Sequence, residues 1–312
     1  MKKILIVLIV TIAGLAVISS FKTDNQIYQS VYKENYKENY RKKVKILFVG
    51  DLMFDRTIRI IAEEKGYDYL FSCANNYLRE FDFVIANLEG PITNESSISR
   101  NTKPGEASNT TFTFDISVAK TLASNNIKMV NLGNNHILDF GEIGRDSTIR
   151  ELSLAGVMYF GSPGNTIMAT TSLRGYTLTI INFNQFSGEN NAKKTIEAVW
   201  QAKRTADLVV VYSHWGDEYL PATEYEKALA HSFIDAGADL VIGSHPHVIQ
   251  EREIYKDKSI YYSLGNFIFD QYFTDEVKTG AGVEVLFDDQ TLSEKEVRFD
   301  IRRDGRTCLA EN

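Results

Sequence analysis

Six short apolar runs, most of them separated by amphipathic segments, constrain the fold of this chain more than any other feature of its sequence. Each run is rich in Val, Ile and Leu and is bounded by polar residues or Gly, a pattern typical of strands that are buried on both faces. The runs cover residues 44–50, 81–87, 127–133, 178–183, 207–213 and 239–244. Helices are predicted over residues 56–65, 69–80, 116–125, 144–155, 192–206 and 223–236. Strands that alternate with helices predict an α/β layered fold.

The carboxyl-terminal part has a different pattern. Four further β-rich runs follow one another at 249–255, 259–265, 281–287 and 296–302. Because no segment of helix length and composition separates them, they are predicted to be antiparallel strands. No shift in composition marks an internal boundary, so one domain is predicted over 44–305, followed by a tail over 306–312. The longest predicted loop, 90–111, follows a strand, where loops often form lids or substrate walls.

The amino-terminal residues have the pattern of an export segment. Lys2 and Lys3 precede an apolar run over 4–18, so residues 1–21 are interpreted as a signal peptide or an N-terminal membrane anchor. Residues 22–43 are polar and rich in Tyr and are interpreted as a polar tether. We therefore expect an extracytoplasmic protein that is membrane-anchored, secreted or periplasmic, and that contacts the membrane through its N-terminal segment if this is not cleaved.

Charge and cysteine content exclude several classes of function. The chain has 34 Lys and Arg against 41 Asp and Glu, a net charge of −7, so we expect no nucleic-acid partner. Its two cysteines, Cys73 and Cys308, cannot build a disulfide framework or a cysteine zinc cluster. We expect both to stay unpaired, although export would permit one disulfide between them. A bound metal would therefore need His, Asp, Glu and Asn ligands.

Four of the five histidines follow a predicted strand closely, where the carboxyl edge of an α/β sheet gathers ligand-binding side chains. The fifth, His231, lies within a predicted helix and is expected to have a packing or surface role. Pro246 disfavours helical backbone at His245, so residues 245–247 are predicted to be extended. The side chains of His245 and His247 would then point the same way and could bind a metal together, whereas the alternative is a surface turn with two solvated imidazoles.

Other polar residues follow the remaining strands. Asn135 can offer an amide oxygen to a metal, His136 can transfer a proton, and Asp139 can hold its imidazole in one tautomer. Asp51 and Glu89 also follow strands, although each could instead cap a helix. The combined set is Asp51, Glu89, Glu218, Asn135, His136, His214, His245 and His247. These ligand types predict a site for one or two divalent ions of the Mn, Fe, Zn or Mg class.

The order of these motifs resembles that of the poly-γ-glutamate capsule biosynthesis (CapA-type) family, which is itself similar to calcineurin-like metallophosphoesterases. The motifs are Gly50-Asp51, Asn87-Leu88-Glu89-Gly90, Asn134-Asn135-His136, His214-Trp215-Gly216, His245-Pro246-His247 and Tyr262-Ser263-Leu264-Gly265-Asn266-Phe267. The resemblance covers about residues 44–290. It implies a four-layer α/β/β/α sandwich of metallophosphoesterase type, with antiparallel strands in the C-terminal part.

The resemblance also implies roles for individual residues. Asp51 and His247 would bind a first metal ion, and Glu89 would bridge two ions, a position for which Asn87 could compete. The second ion would be bound by Asn135, His214 and His245, with His136 as the neighbouring proton donor. The phosphoesterase pattern has a histidine where this chain has Met53, and a thioether is a poor ligand for Mn, Mg or Fe, so the first metal position is weakened.

Three functions remain open. The first is metal-dependent hydrolysis of an anionic envelope polymer or a small ester; the second is non-catalytic binding or export of such a polymer together with other capsule-assembly proteins. The third is a small-molecule phosphoesterase. The candidate substrate-binding residues are Asn87, Arg100, Lys103, Arg145, Glu218 and Asn266. Of these, Arg100, Lys103 and Arg145 would form the basic groove that a polyanion requires.

Overall fold

The computed structural model describes residues 43–311 except 104, 165–166, 189 and 290. The predicted export segment over 1–21 and the predicted tether up to residue 42 lie outside the described residues. From Lys43 onward the chain forms a single compact unit. Within the described part, no helix is both long enough and apolar enough to cross a membrane.

Fourteen strands and six α-helices make up the described part of the chain. In chain order they are β1 (Val44–Leu52), α1 (Arg56–Lys65), α2 (Asn75–Leu78), β2 (Phe83–Leu88), α3 (Ser117–Ser124), β3 (Ile127–Asn131), α4 (Gly141–Ala155), β4 (Met158–Phe160), β5 (Met168–Leu173), β6 (Tyr176–Asn184), α5 (Asn191–Ala202), β7 (Leu208–His214), α6 (Glu224–Ala236), β8 (Leu240–Ser244), β9 (Arg252–Tyr255), β10 (Lys258–Tyr261), β11 (Asn266–Ile268), β12 (Thr279–Phe287), β13 (Leu292–Ile301) and β14 (Thr307–Leu309). Short 3₁₀ turns lie at Tyr67–Phe71, Ala107–Thr110 and Glu276–Lys278.

All six predicted apolar runs are strands, and five of the six predicted helices are present. The exception is 69–80, which forms the 3₁₀ turn and the four-residue helix α2 instead of one continuous helix. The Ser72 hydroxyl donates to the Tyr69 carbonyl, and the Asn75 amide donates to Asn125. Short polar side chains that bond in this way compete with regular helix formation, which explains the interruption.

The strands form two mixed sheets. The first has the order β14-β13-β12-β1-β2-β3-β4, with β11 also paired to β1, and the second has the order β5-β6-β7-β8-β10-β9. The predicted antiparallel strands of the C-terminal part are confirmed for β9–β10 and β12–β13. However, β10 pairs with β8 in parallel, and β11 pairs with β1 in parallel, so this part of the chain also adds one parallel strand to each sheet.

Three apolar layers hold the sheets and helices together. Phe48 and Ile180 lie in the layer between the two sheets. A second layer packs the first sheet against α1, α3 and α4, and a third packs the second sheet against α5 and α6. Since each sheet has one face on the other sheet and one face on helices, the predicted four-layer α/β/β/α sandwich is confirmed.

Two expectations about the carboxyl end are wrong. The residues predicted to be a tail, 306–312, include β14, which pairs with β13 and extends the sheet beyond residue 305. Cys308 lies in this strand and forms a disulfide with Cys73, with the two Cα atoms 4.7 Å apart. The two cysteines are 235 residues apart in the sequence, so only the tertiary fold brings them together.

Candidate metal centre

The ends of strands from both sheets meet at one place. Asp51 lies near the end of β1 and Glu89 directly follows β2, both in the first sheet. His214 ends β7 of the second sheet, and His245 and His247 follow β8. All five side chains are buried. Burial of so many ionisable groups is costly unless they are paired or bind a cation, which marks this junction as a functional site.

Two groups of potential ligands share one carboxylate. Glu89, His214 and His245 form one group, and Asp51, Glu89 and His247 form the other. In each group, the ligand atoms lie within 4.8 Å of one another. Glu89 is therefore placed to bridge two cations, as the resemblance implies.

The segment that contains two of these histidines does not have the predicted extended backbone. His245 and His247 have φ angles of 99° and 58°, which L-residues adopt rarely. The His245 amide donates to Asp51 Oδ2 at 3.1 Å, and this bond helps to hold the turn. The two imidazole centroids are 5.9 Å apart and both rings are buried, so the alternative of a solvated surface turn is wrong. Backbone strain of this kind persists where the surrounding structure over-determines it, often at functional sites.

Hydrogen bonds orient two of the imidazoles. Ser244 Oγ donates to the Ser213 carbonyl and lies 3.1 Å from His214 Nδ1. Asn266 donates its amide hydrogens to carbonyl oxygens, so its Oδ1 accepts from His247 Nδ1 at 2.9 Å. The His247 imidazole thus keeps a lone pair on Nε2, which lies 3.7 Å from Glu89 Oε1, so a cation could bind both atoms. In the absence of a cation, His214 Nε2 donates to Asn135 Oδ1 at 2.8 Å.

Asn87 and Asn266, predicted to bind substrate, lie instead behind the ligands. Both are fully buried. Asn87 Nδ2 donates to Asp51 Oδ1 at 2.8 Å and lies 3.3 Å from Glu89 Oε2. Its Oδ1 accepts from two further asparagines, Asn131 and Asn134. Asn87 therefore positions the carboxylates, and Asn266 positions His247.

Burial determines the charge state of these groups. Desolvation raises the pKa of Asp51 to about 7 and raises the pKa of Glu89 well above its usual value, to which the Asp51 charge contributes. Desolvation also lowers the pKa of His245 to about 4 and that of His247 to about 3. The pKa of His214 lies well below its usual value, first because the ring is buried. Neutral imidazoles at physiological pH are the form that binds metals.

Two buried atoms provide a direct test of whether a metal fits. Glu89 Oε1 and His245 Nδ1 have no hydrogen-bond partner among the described residues. An unsatisfied buried polar atom costs about 1–3 kcal/mol, and more when it is charged. Both atoms belong to residues of the ligand groups, so divalent cations would satisfy them. The residues present therefore fit a metal centre.

Met53 does not contribute to this centre. Its side chain is fully buried in the apolar layer between the first sheet and the helices, and its sulfur accepts the Asp55 amide at 3.0 Å. The first metal position would therefore have three ligands, Asp51, Glu89 and His247, and none from residue 53.

His136 lies beside the ligand groups. Its Nδ1 is 2.9 Å from Asp139 Oδ2, an oxygen that also accepts the Phe112 amide at 2.7 Å. Its Nε2 lies 4.0 Å from Glu89 Oε1. Asp139 therefore fixes the ring through Nδ1, and His136 Nε2 is directed towards the metal centre.

An open cleft of about 490 Å³ leads to the centre and is lined by both His136 and His247. Part of one wall comes from the long loop over 90–111, which the sequence predicted to have such a role. Glu218 also lines the cleft. Further lining residues that no sequence motif indicated are Arg56, Phe112, Tyr219, Phe269 and Asp270. No local sequence pattern could place these residues in one cleft, because they come from four separate segments of the chain.

The predicted basic groove is not formed. Arg100 pairs with Glu63 at 2.7 Å, and Lys103 is exposed; neither lines the cleft. Arg145 donates to the Pro163 carbonyl and pairs with Asp146, and it does not line the cleft either. These three cations are close in sequence to the loop or to His136, but sequence neighbours on a loop or helix can point away from a site.

Similarity to known proteins agrees with this geometry. The family model described as "Bacterial capsule synthesis protein PGA_cap" matches residues 45–271. The PGA biosynthesis protein CapA of Bacillus subtilis (strain 168) is 35% identical over 246 residues, and the capsule biosynthesis protein CapA of Bacillus anthracis is 31% identical over 255 residues. These alignments cover 73% and 75% of this chain but only 63% and 61% of the relatives.

A solved structure supports the fold alone. A hypothetical protein from Thermus thermophilus superposes with a TM-score of 0.54 at 17% sequence identity. The superposition covers 82% of this chain and 99% of the other. The family match over residues 45–271 and the two relatives above 30% identity show that the chain belongs to the bacterial capsule synthesis protein family PGA_cap.

Proposed function

We propose that this protein acts outside the cytoplasm in capsule or poly-γ-glutamate biosynthesis, as a metal-dependent hydrolase of an anionic envelope polymer. The observation that carries the catalytic part is the pair of ligand groups that share Glu89, with His136 beside them. The names of the two Bacillus relatives support the capsule role. The whole activity, its substrate and its partners remain part of the proposal, since the chain spans less than two thirds of those relatives.

The chemistry follows from the residues that surround the centre. Divalent ions bound by the two groups would lower the pKa of a water molecule and polarise the scissile bond. Asn87 and Asn266 keep the ligands oriented, as their hydrogen bonds indicate. Protonated His136, held through Nδ1 by Asp139, would donate the proton on Nε2 to the leaving oxygen or nitrogen.

The disulfide supports the extracytoplasmic part of the proposal. Disulfides persist in oxidising compartments and are rare in the cytosol. The bond between Cys73 and Cys308 therefore agrees with the export segment predicted from residues 1–21. That segment would keep the protein at the membrane if it is not cleaved.

A second candidate function is polymer binding or export without cleavage. The position of Met53 in the apolar core favours it, because the first metal position has one ligand fewer than the phosphoesterase pattern provides. A site of this kind could hold a carboxylate-bearing polymer through its cation and its cleft, in contact with other capsule-assembly proteins.

One experiment separates the two candidates. Metal content of the full chain is measured by mass spectrometry after loading with Mn²⁺, and hydrolysis is followed with poly-γ-glutamate and with a generic phosphoester. The double variant His245→Ala, His247→Ala should lose the metal and all turnover. His231→Ala is the matched control, because this histidine pairs with Glu253 outside the centre.

His136→Asn provides the discriminating result. It should keep the metal but lose about 10²–10⁴-fold in rate, the usual contribution of a general acid. Bound metal without turnover on either substrate would favour the binding protein over the hydrolase. Wild-type protein that binds no metal would refute both the metal centre and the hydrolase.

A further inference from the structure

Arg56 supplies the positive charge of the cleft. It is the one Lys or Arg among the described residues that line this cleft. It begins α1, with a backbone φ of 50°, a value that residues other than Gly adopt rarely. Its amide donates to Asp55 Oδ1, which caps the helix. The local backbone therefore holds Arg56 in an unusual conformation at the cleft wall.

The guanidinium is held firmly but is not fully bonded. Its Nη2 donates to Asp270 Oδ1 at 2.5 Å and its Nη1 donates to Asn109 Oδ1 at 3.2 Å. Its Cζ lies 5.1 Å from the ring centroid of Phe112 and 5.4 Å from that of Phe269. By contrast, Nε is buried and has no acceptor among the described residues. The two Nη atoms carry four hydrogens and have three acceptors among the described residues, so one N–H remains for a ligand oxygen.

The two phenyl rings connect Arg56 with the metal centre. Phe112 contacts the His136 ring, with centroids 4.4 Å apart, and Phe269 contacts the His247 ring at 4.7 Å. Each phenyl ring therefore contacts both the guanidinium and one of these histidines. A substrate that occupies the cleft can thus reach Arg56 with one group and the metal centre with another.

We propose that Arg56 binds a carboxylate of the substrate next to the reacting bond, and that it thereby selects polymers with regularly spaced carboxylates. A guanidinium matches the planar geometry of a carboxylate and stays charged at all physiological pH values. Asp270 also accepts the Thr57 amide, at 3.1 Å, which fixes the carboxylate that aligns the guanidinium. This inference rests on the proposed function of the site and adds its specificity residue.

The test measures binding and does not depend on turnover. Mn²⁺-loaded full-length protein is titrated by calorimetry with a γ-linked glutamate oligomer and with the same oligomer carrying amides in place of the side carboxylates. Wild type should bind the anionic oligomer at least about tenfold more tightly, and Arg56→Gln should remove most of this preference. Arg56→Lys, which keeps the charge but not the planar fork, should give an intermediate preference.

The control is Arg100→Gln, because Arg100 pairs with Glu63 on the neighbouring helix α1 and does not line the cleft. It should retain the wild-type preference. An unchanged preference in Arg56→Gln, or wild-type protein that binds both oligomers equally, would overturn the role of Arg56. If Arg56→Gln does not fold, the titration of Arg56→Lys decides the question. A preference in Arg56→Lys equal to that of wild type would overturn the role of Arg56. A protein that binds with this preference but hydrolyses nothing would contradict the hydrolase and leave Arg56 as a binding residue.

Discussion

Replacing Glu89 with Gln should stabilise the metal-free protein and abolish its stabilisation by divalent ions. The carboxylate is buried beside Asp51, and its Oε1 has no hydrogen-bond partner among the described residues. Without a cation, this arrangement costs about 1–3 kcal/mol, and more for a charged group. The neutral amide has nearly the same shape and can donate to the lone pair of His247 Nε2, which lies 3.7 Å from Oε1.

The effect of metal can be estimated from linkage. A ligand at 100 times its Kd stabilises the folded state by about 2.7 kcal/mol. For a domain of this size that corresponds to a rise in Tm of about 5–10 °C. Because Glu89 belongs to both ligand groups, Glu89→Gln should lose the whole of this rise, whereas the loss of a ligand from one group would remove only part of it.

The assay is thermal unfolding of both proteins with chelator and with Mn²⁺, together with metal analysis. Glu226→Ala is the matched control: Glu226 is equally buried but accepts from Thr223 in the capping box of α6. That variant should lose about 1–2 kcal/mol of stability and keep the full metal-induced shift. The reasoning would be refuted if Glu89→Gln kept the metal-induced shift, or if its metal-free form melted below wild type.

Two further predictions concern residues outside the ligand groups. The double variant Cys73→Ser, Cys308→Ser should lose up to about 5 kcal/mol of unfolding free energy, because the disulfide closes a loop of more than two hundred residues in the unfolded chain. Guanidinium denaturation measures this loss, and equal stability with and without the disulfide would contradict the prediction. Met53→Leu should leave the metal content unchanged and cost less than about 1.5 kcal/mol, because the residue packs in the apolar core; loss of metal in this variant would show that Met53 supports the first position after all.

Much of the sandwich could be predicted because its strands and helices follow local rules. The run at 44–50 is apolar on both sides because β1 is covered by the other sheet and by helices. The same locality makes the candidate ligands predictable: Asp51, His214 and the 245–247 segment lie at strand ends, and strand ends can be located from the sequence. The prediction of one continuous helix over 69–80 was wrong for the converse reason, since contacts such as that of Asn75 with Asn125 are not local.

The backbone at His245 shows a limit of a local rule. Pro246 does exclude helical backbone at that residue. At a φ of 99°, the His245 amide donates to Asp51, which lies in the other sheet and 194 residues earlier in the chain. The sequence could therefore predict that both imidazoles reach one site, but not the turn that brings them there.

The sequence by itself determined the alternation of elements, the layered class and the residues at strand ends, because each of these depends on the physical chemistry of neighbouring residues. Only the tertiary structure decided which Lys or Arg lines the cleft, that β14 extends the sheet and that Cys308 meets Cys73. Arg56 and Arg100 are equally polar in the sequence, yet one contacts two phenyl rings and the other pairs with Glu63. Such differences arise from contacts between distant segments, whose pairing is selected by the free energy of the whole packed fold and not by any local pattern.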